Sequence, residues 1–475
     1  MKFNLSTSNY KLWIAIAILI KGVFFWTQIS LNYEVNKPLF GYFTHDSHEY
    51  YDSMNSFYET GVYTPDVRMP GLGIIFLAFR FILERDTILN LILVLQWLLS
   101  SCCVYILSVI VSRIAKKESV FYFAFFMFIL TYYVFLWDAL LLTESFCISF
   151  FILSVYHLQK YLATHSHRPL FWAGFFFTWC VFLRPIFFLF YGIVAISILL
   201  YLIRQKTGFR KIFISGILFL GLFTVLDSVW ILRNYRDKNK FTFLNDIDSY
   251  SKLGKSDPMP AIYLFLEAFG GDHENERHWF EPDFNIDYRG RDTILPNYIF
   301  TSQFNRDSLV KVKESIHYYK EHGGDSVVAV INDKLHRYTN SIKEEKPLLF
   351  YVGASLINYK KMLWHGFSNT LQFNAGFWDL PFATKFYRLS RAFLFYFLFF
   401  TGAIYSFFYF FSKNKNGLMK TLIVIAHANL FYIAFFFRTA EFRYVLPSTV
   451  VFMCLTAILM NDLWERYKGR PTSAE

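Results

Sequence analysis

Residues 88–112 read ILNLILVLQWLLSSCCVYILSVIVS, with no Asp, Glu, Lys or Arg anywhere in the run. A helix of about 20 apolar residues spans the hydrocarbon core of a bilayer, so this stretch reads as a membrane span. Outward from it, comparable runs lie at 12–31, 118–136, 139–159, 169–183, 186–203, 212–231, 388–411, 417–436 and 444–462. The expected fold is therefore an all-α polytopic membrane protein with about ten transmembrane helices. Juxtamembrane helices on the outer face and a small helical outer domain complete it.

Composition agrees. The 475 residues are 55% hydrophobic and only 17% charged, too little charge and too long a set of apolar runs for a soluble chain. The net charge of +11 sits in short loops between those runs. Topology and anionic lipid explain it, so nucleic acid is excluded as a partner. Cys102, Cys103, Cys147, Cys180 and Cys454 all fall inside apolar runs without metal-type spacing. They read as reduced packing residues. No small-residue cleavage motif follows 12–31, which reads as a signal anchor.

Orientation follows from the basic loops. A cytoplasmic N-terminus puts Arg113, Lys116, Lys117, His167, Arg168, the stretch 204–211, Lys413, Lys415, Lys420 and the tail with Arg466, Lys468 and Arg470 inside. The apolar segment 71–83 is short and holds Arg80; as a span it would turn Arg113 to Lys117 outward, so it reads as an interfacial or re-entrant helix. Spans 169–183 and 186–203 share the apex Arg184-Pro185, a tight hairpin. Three regions result: 1–231 with the first outer loop 32–70, an outer domain 232–387, and 388–475. Within the outer domain Leu309, Val312, Ile316 and Tyr319 repeat at helical spacing, as do Val328, Ile331, Leu335, Tyr338 and Ile342. Residues 347–364 are expected to pack on the membrane. No internal repeat supports a duplicated transporter.

The chemistry concentrates at the expected outer ends. His45-Asp46-Ser47-His48-Glu49-Tyr50 places Asp46 where an N-cap belongs, with Glu49 three residues on. That is either a capping-box variant or a carboxylate held as general base for an acceptor. A metal reading of His45, Asp46, His48 and Glu49 fits no standard helical zinc spacing. Asp138 and Glu144 fall in or just after the turn between spans 118–136 and 139–159. Asp138 fits an exposed turn as well as a site; Glu144 has no neutralising partner in its next turn. Arg184, Arg233, Arg236, Arg388, Arg391, Arg438 and Arg443 lie at outer helix ends, where the positive-inside rule does not call for them. Snorkelling or pairing, with Glu441 or Asp227 for example, accounts for any one of them; together they suit an anion such as a lipid phosphate. His427 with Asn429 reads as an interhelical hydrogen bond. A Gly-rich phosphate loop and a distinctive Ser/His/Asp motif are both missing, so a soluble nucleotide donor is not expected.

At Asp46-Ser47-His48-Glu49-Tyr50, Glu59-Thr60-Gly61-Val62-Tyr63, Arg68-Met69-Pro70-Gly71, Leu142-Thr143-Glu144, Phe182-Leu183-Arg184-Pro185, Trp230-Ile231-Leu232-Arg233-Asn234-Tyr235 and Glu441-Phe442-Arg443-Tyr444-Val445-Leu446-Pro447, the chain resembles the C-type glycosyltransferase superfamily. The branch it resembles is that of bacterial relatives of protein O-mannosyltransferases and of the aminoarabinose transferase of lipid A. The resemblance implies inverting transfer of a hexose or pentose from a polyprenyl-phosphate sugar to a lipid, glycan or protein acceptor. It implies a catalytic Asp46 with Glu49 beside it, and a second acidic position at Asp138 or Glu144. Arg68, Arg184, Arg233, Arg443 and Tyr444 become substrate-binding residues. The implied location is a bacterial inner membrane, with the site facing the periplasm. Some branches use a divalent metal; the thin acidic inventory here favours no obligate one. An O-antigen ligase or polymerase type, and a lipid or solute transporter, are the rival readings.

Overall fold

The computed structural model describes residues 9–31, 45–61, 63, 68–131, 134, 136–239, 241–244, 257–271, 277–280, 295–364, 377–413, 416–438 and 442–469. Residues 32–44 of the expected first loop, Val62, Lys415, Glu441 and Arg470 lie outside the described residues, as does the side chain of His45. Every regular element among the described residues is helical.

The first unit is built from α1 (Tyr10–Leu31), α2 (His45–Thr60), α3 (Gly71–Phe79), α4 (Arg85–Ala115), α5 (Ser119–Leu130), α6 (Glu144–Thr164), α7 (His167–Leu183), α8 (Phe187–Arg204) and α9 (Phe209–Lys238). The second holds α10 (Met259–Glu267), α11 (Arg306–His322), α12 (Asp325–Glu345) and α13 (Ala354–Leu363); α14 (Phe382–Phe411), α15 (Gly417–Tyr432) and α16 (Leu446–Tyr467) follow. By contacts the chain divides into Met1–Asn245, Arg391–His427 and Leu446–Glu475, and Asp246–Ser390 with Ala428–Val445. The second unit starts later than residue 232 because α9 continues unbroken to Lys238. Among the described residues eight helices are long and apolar enough to cross a membrane. With the shorter α5 and the 17-residue α7, they account for the ten apolar runs.

The deciding run forms α4, 31 residues long. It stops where Lys116 turns left-handed (φ 54°) and Lys117 N–H donates to the Ser112 carbonyl at 3.1 Å, closing the last turn. Two features depart from the apolar-run reading. Of the segment expected as a span at 118–136, α5 covers 12 residues, about 18 Å, and Val134 is helical again, while 132, 133 and 135 lie outside the described residues. A 3-10 turn at Leu136–Ala139 follows, and irregular chain leads from it to Glu144. Asp138 is therefore not in an exposed turn: it is 2% exposed, among buried Leu136, Trp137, Ala139 and Leu140. Irregular backbone this deep needs internal partners. Gln96, from mid-α4, supplies one, its side-chain amide reaching the carbonyls of Trp137 (3.0 Å) and Leu140 (2.9 Å).

The α7–α8 hairpin forms as expected. Arg184 leaves the helix in an extended conformation (φ −146°, ψ 113°), which the ring of the following Pro185 favours. The segment at 71–83 is α3, nine residues long, which excludes it as a span.

The second unit has its own core. Leu309, Val312 and Ile316 of α11 and Ile331, Leu335 and Ile342 of α12 pack with Phe265, Phe269 and Phe304. Asn305 caps α11, accepting from Ser308 N–H at 3.0 Å in a reciprocal capping box.

Candidate functional site

Arg68 gathers the first acidic motif. Its Nε donates to Glu49 Oε2 at 2.5 Å, its Nη2 lies 3.6 Å from Asp46 Oδ2, and its guanidinium sits over the Tyr50 ring at 5.3 Å. Asp46, Glu49 and Tyr50 share one face of α2 because residues three and four apart are helical neighbours. The helix begins at His45, so Asp46 lies inside the first turn rather than at the cap. A carboxylate there complements the helix dipole. Both carboxyls stay partly exposed.

Three residues beyond Arg68, α3 begins, and two glycines decide what it touches. A Cβ on Gly71 would lie 2.5 Å from the Phe182 carbonyl oxygen, so only glycine lets α3 meet the end of α7 just before Arg184. A Cβ on Gly73 would overlap the ring of Tyr63. The Tyr63 carbonyl in turn accepts from Arg233 Nη2 at 3.0 Å, while Arg233 Nη1 donates to Asn234 Oδ1 at 2.8 Å and the guanidinium lies over Trp230 at 5.1 Å. Burial holds the Tyr63 phenol well above its ordinary pKa. The short α3 thus brings Arg68, Arg184 and Arg233 into one neighbourhood from loop, hairpin and helix end.

Glu144 and Arg184 form a buried ion pair, Oε1 to Nη1 3.1 Å, with side chains 1% and 8% exposed. The partner that the sequence around Glu144 lacks comes from the next hairpin. Asp138 has different company. Lys21 Nζ is 2.8 Å from its Oδ2, Ser100 Oγ donates to Oδ2 at 2.9 Å, and Ser145 Oγ donates to Oδ1 at 2.6 Å. Both Asp138 oxygens are thereby engaged by protein groups. Sequence reasoning missed Lys21; the signal was a lone lysine in the middle of the run 12–31. It also passed over Tyr63 as a separate residue.

The remaining arginines are more dispersed. Arg443 and Tyr444 lie in the second unit, the guanidinium 5.5 Å from the Tyr444 ring centre, and Asn429 Nδ2 donates to the Tyr444 carbonyl at 2.9 Å. Arg438 of the same unit donates to the Phe350 carbonyl at 2.8 Å and covers its ring. Arg391 donates to the Leu130 carbonyl at 2.6 Å. His427 makes its interhelical bond with Ser406 Oγ at 2.8 Å, while Asn429 serves Tyr444. Among the described residues no group of three or more His, Cys, Asp or Glu side chains could hold a metal ion.

Residues 69–247 match the model of the Alg9-like mannosyltransferase family. The match takes in α3, Glu144, Arg184 and Arg233; Asp46 and Glu49 precede it and Arg443 follows it. The fold is similar to that of the archaeal oligosaccharyltransferase AglB from Archaeoglobus fulgidus, solved with an inhibitory peptide and a dolichol-phosphate. The two share 12% identity with a TM-score of 0.48 over 97% of this chain and 51% of that one, so the present chain spans about half the length of AglB. No curated protein matches the sequence. The resemblance to C-type glycosyltransferases drawn from the helix-end motifs is thus borne out by a mannosyltransferase family match over residues 69–247.

Proposed function

We propose that the chain is a membrane glycosyltransferase that moves a sugar, mannose first among candidates, from a polyprenyl-phosphate donor to an acceptor at the outer face. The family match supports sugar transfer, and the match to mannosyltransferases orders the candidate sugars. The observation that carries the site is the convergence on α3: Arg68 holding Asp46 and Glu49 on one side, Arg184 with Glu144 and Arg233 with Tyr63 on the other.

In this reading Asp46 takes the proton from an acceptor hydroxyl or amide as that group attacks the anomeric carbon. A bond forms from acceptor to anomeric carbon, the bond from that carbon to the phosphate oxygen breaks, and the configuration inverts. The leaving group is a polyprenyl phosphate, whose developing charge Arg184 and Arg233 stabilise. Arg68 orients Asp46. Of the two acids left open by the sequence, Glu144 is assigned to the site, where it would position acceptor or sugar. Asp138 is assigned to structure, because Lys21, Ser100 and Ser145 already occupy both its oxygens. For Arg443 and Tyr444 a substrate-binding role rests on the resemblance alone.

The test is transfer in vitro by the purified full chain in lipid nanodiscs, from a panel of radiolabelled polyprenyl-phosphate sugars. Label passing from the mannose-bearing lipid to an acceptor is the expected result. Transfer from a nucleotide sugar, with none from any lipid-linked sugar, would overturn the reading.

A further inference from the structure

The start of α3 is buried and uncapped. Pro70 sits at the cap position and makes no side-chain cap bond. Gly71, Leu72 and Gly73 are all buried. Their N–H groups have no carbonyl four residues back inside the helix, and a helix end buried without partners is costly. An aligned helix start also carries partial positive charge, the usual setting for a phosphate.

A second, independent feature stands at the same place. The Tyr63 hydroxyl oxygen is sealed from solvent and has no hydrogen-bond partner among the described residues. Leaving such a group unsatisfied is costly, so its natural completion is a ligand. The phenol lies where a Cβ of Gly73 would be, and helical Cβ positions tilt toward the helix start. The hydroxyl therefore stands beside the first turn, on the side of its N–H groups. Arg68 is three residues upstream, and the Arg184 backbone follows the Phe182-Leu183 contact of Gly71.

Charge explains why the helix end matters. Arg68, Arg184 and Arg233 are balanced in the same neighbourhood by Asp46, Glu49 and Glu144. Guanidinium groups alone leave little surplus for an anion. The surplus comes from the α3 dipole and its N–H groups, together with a neutral donor that adds no competing charge. Burial favours keeping the phenol protonated, hence a donor.

The geometry points to the N-terminus of α3, with the Tyr63 hydroxyl beside it, as a phosphate-binding subsite. Resting on the glycosyltransferase reading, its occupant is the phosphate of the lipid-linked donor, gripped by the Gly71 to Gly73 N–H groups and the Tyr63 O–H.

The test uses the full chain in nanodiscs of neutral phosphatidylcholine. Dissociation constants are measured for polyprenyl phosphate without sugar, for phosphatidylglycerol and for inorganic phosphate, in wild type and Tyr63→Phe. Tyr63→Phe removes only the oxygen, so thermal stability should stay the same. Polyprenyl phosphate should bind about tenfold more weakly, the value of one hydrogen bond to a charged acceptor. Equal binding of polyprenyl phosphate by the two proteins would overturn the subsite and leave the donor reading standing. If wild type ignores polyprenyl phosphate but binds phosphatidylglycerol or inorganic phosphate in a Tyr63-dependent way, the subsite stands and the donor reading falls. Binding of none of the three by wild type would overturn both.

Discussion

Arg233 shows what one side chain can be asked to do. Its two terminal nitrogens serve different acceptors, Tyr63 O and Asn234 Oδ1, while the plane rests on Trp230. A lysine keeps the charge but cannot hold both acceptors and stack at once. Arg233→Ala should therefore raise the donor KM more than Arg233→Lys, with both above wild type; equal values for all three would remove Arg233 from the donor site. Single residues of this kind were legible in the sequence as oddities. Asp46, Glu49 and Glu144 stood out because ionisable groups at helix ends near a membrane are rare, whereas Arg68 was marked only by the resemblance. Their pairing was not legible. Glu144 and Arg184 are joined by the packing of α6 on α7, and no local pattern encodes which arginine will meet which acid.

At the scale of elements, periodicity and length found the helices but not the irregular chain between them. The apolar residues after Ser119 continue to Leu142, and hydropathy alone cannot tell helix from the buried 3-10 turn at Leu136–Ala139. What holds the irregular stretch is tertiary: the 136–140 backbone finds its partners in Gln96, and Asp138 finds Lys21. This network pins the irregular segment between the middles of α1 and α4, directly ahead of Glu144. Removing one member strands a buried charge, which costs about 3–5 kcal/mol. Lys21→Met should thus lower thermal stability sharply, and Lys21→Met with Asp138→Leu should recover much of the loss, because two apolar residues leave no charge unmatched. A double variant no more stable than Lys21→Met, in a thermal-shift measurement, would show that the ion pair is not what holds the segment. The reach of α3 was legible for a similar reason in reverse. Its nine residues cannot cross a bilayer, and the basic loop after α4 argued against counting it as a span.

For the whole molecule, composition alone fixed the class: so much apolar length with so few charges leaves no other solvent than lipid. The helical repeats in 306–345 were equally plain, since amphipathic spacing survives without knowledge of the partner. The division into units was less so. α9 carries on to Lys238, and 428–445 joins the second unit from far along the chain, which no local change in composition announces. The reaction itself is a property of this assembly, and it hinges on whether Asp46 acts as a base. Asp46→Asn keeps size and polarity and removes the basic carboxylate. Its structural cost is small: about 0.3–1 kcal/mol for the helix dipole and a similar amount for a partly exposed ion pair. The decisive measurement is sugar transfer from the lipid-linked donor, with melting temperature and donor binding taken on the same purified wild-type and Asp46→Asn samples. The account predicts a rate lowered about 10²-fold or more, with donor binding intact and melting temperature nearly unchanged; wild-type turnover in Asp46→Asn would contradict it.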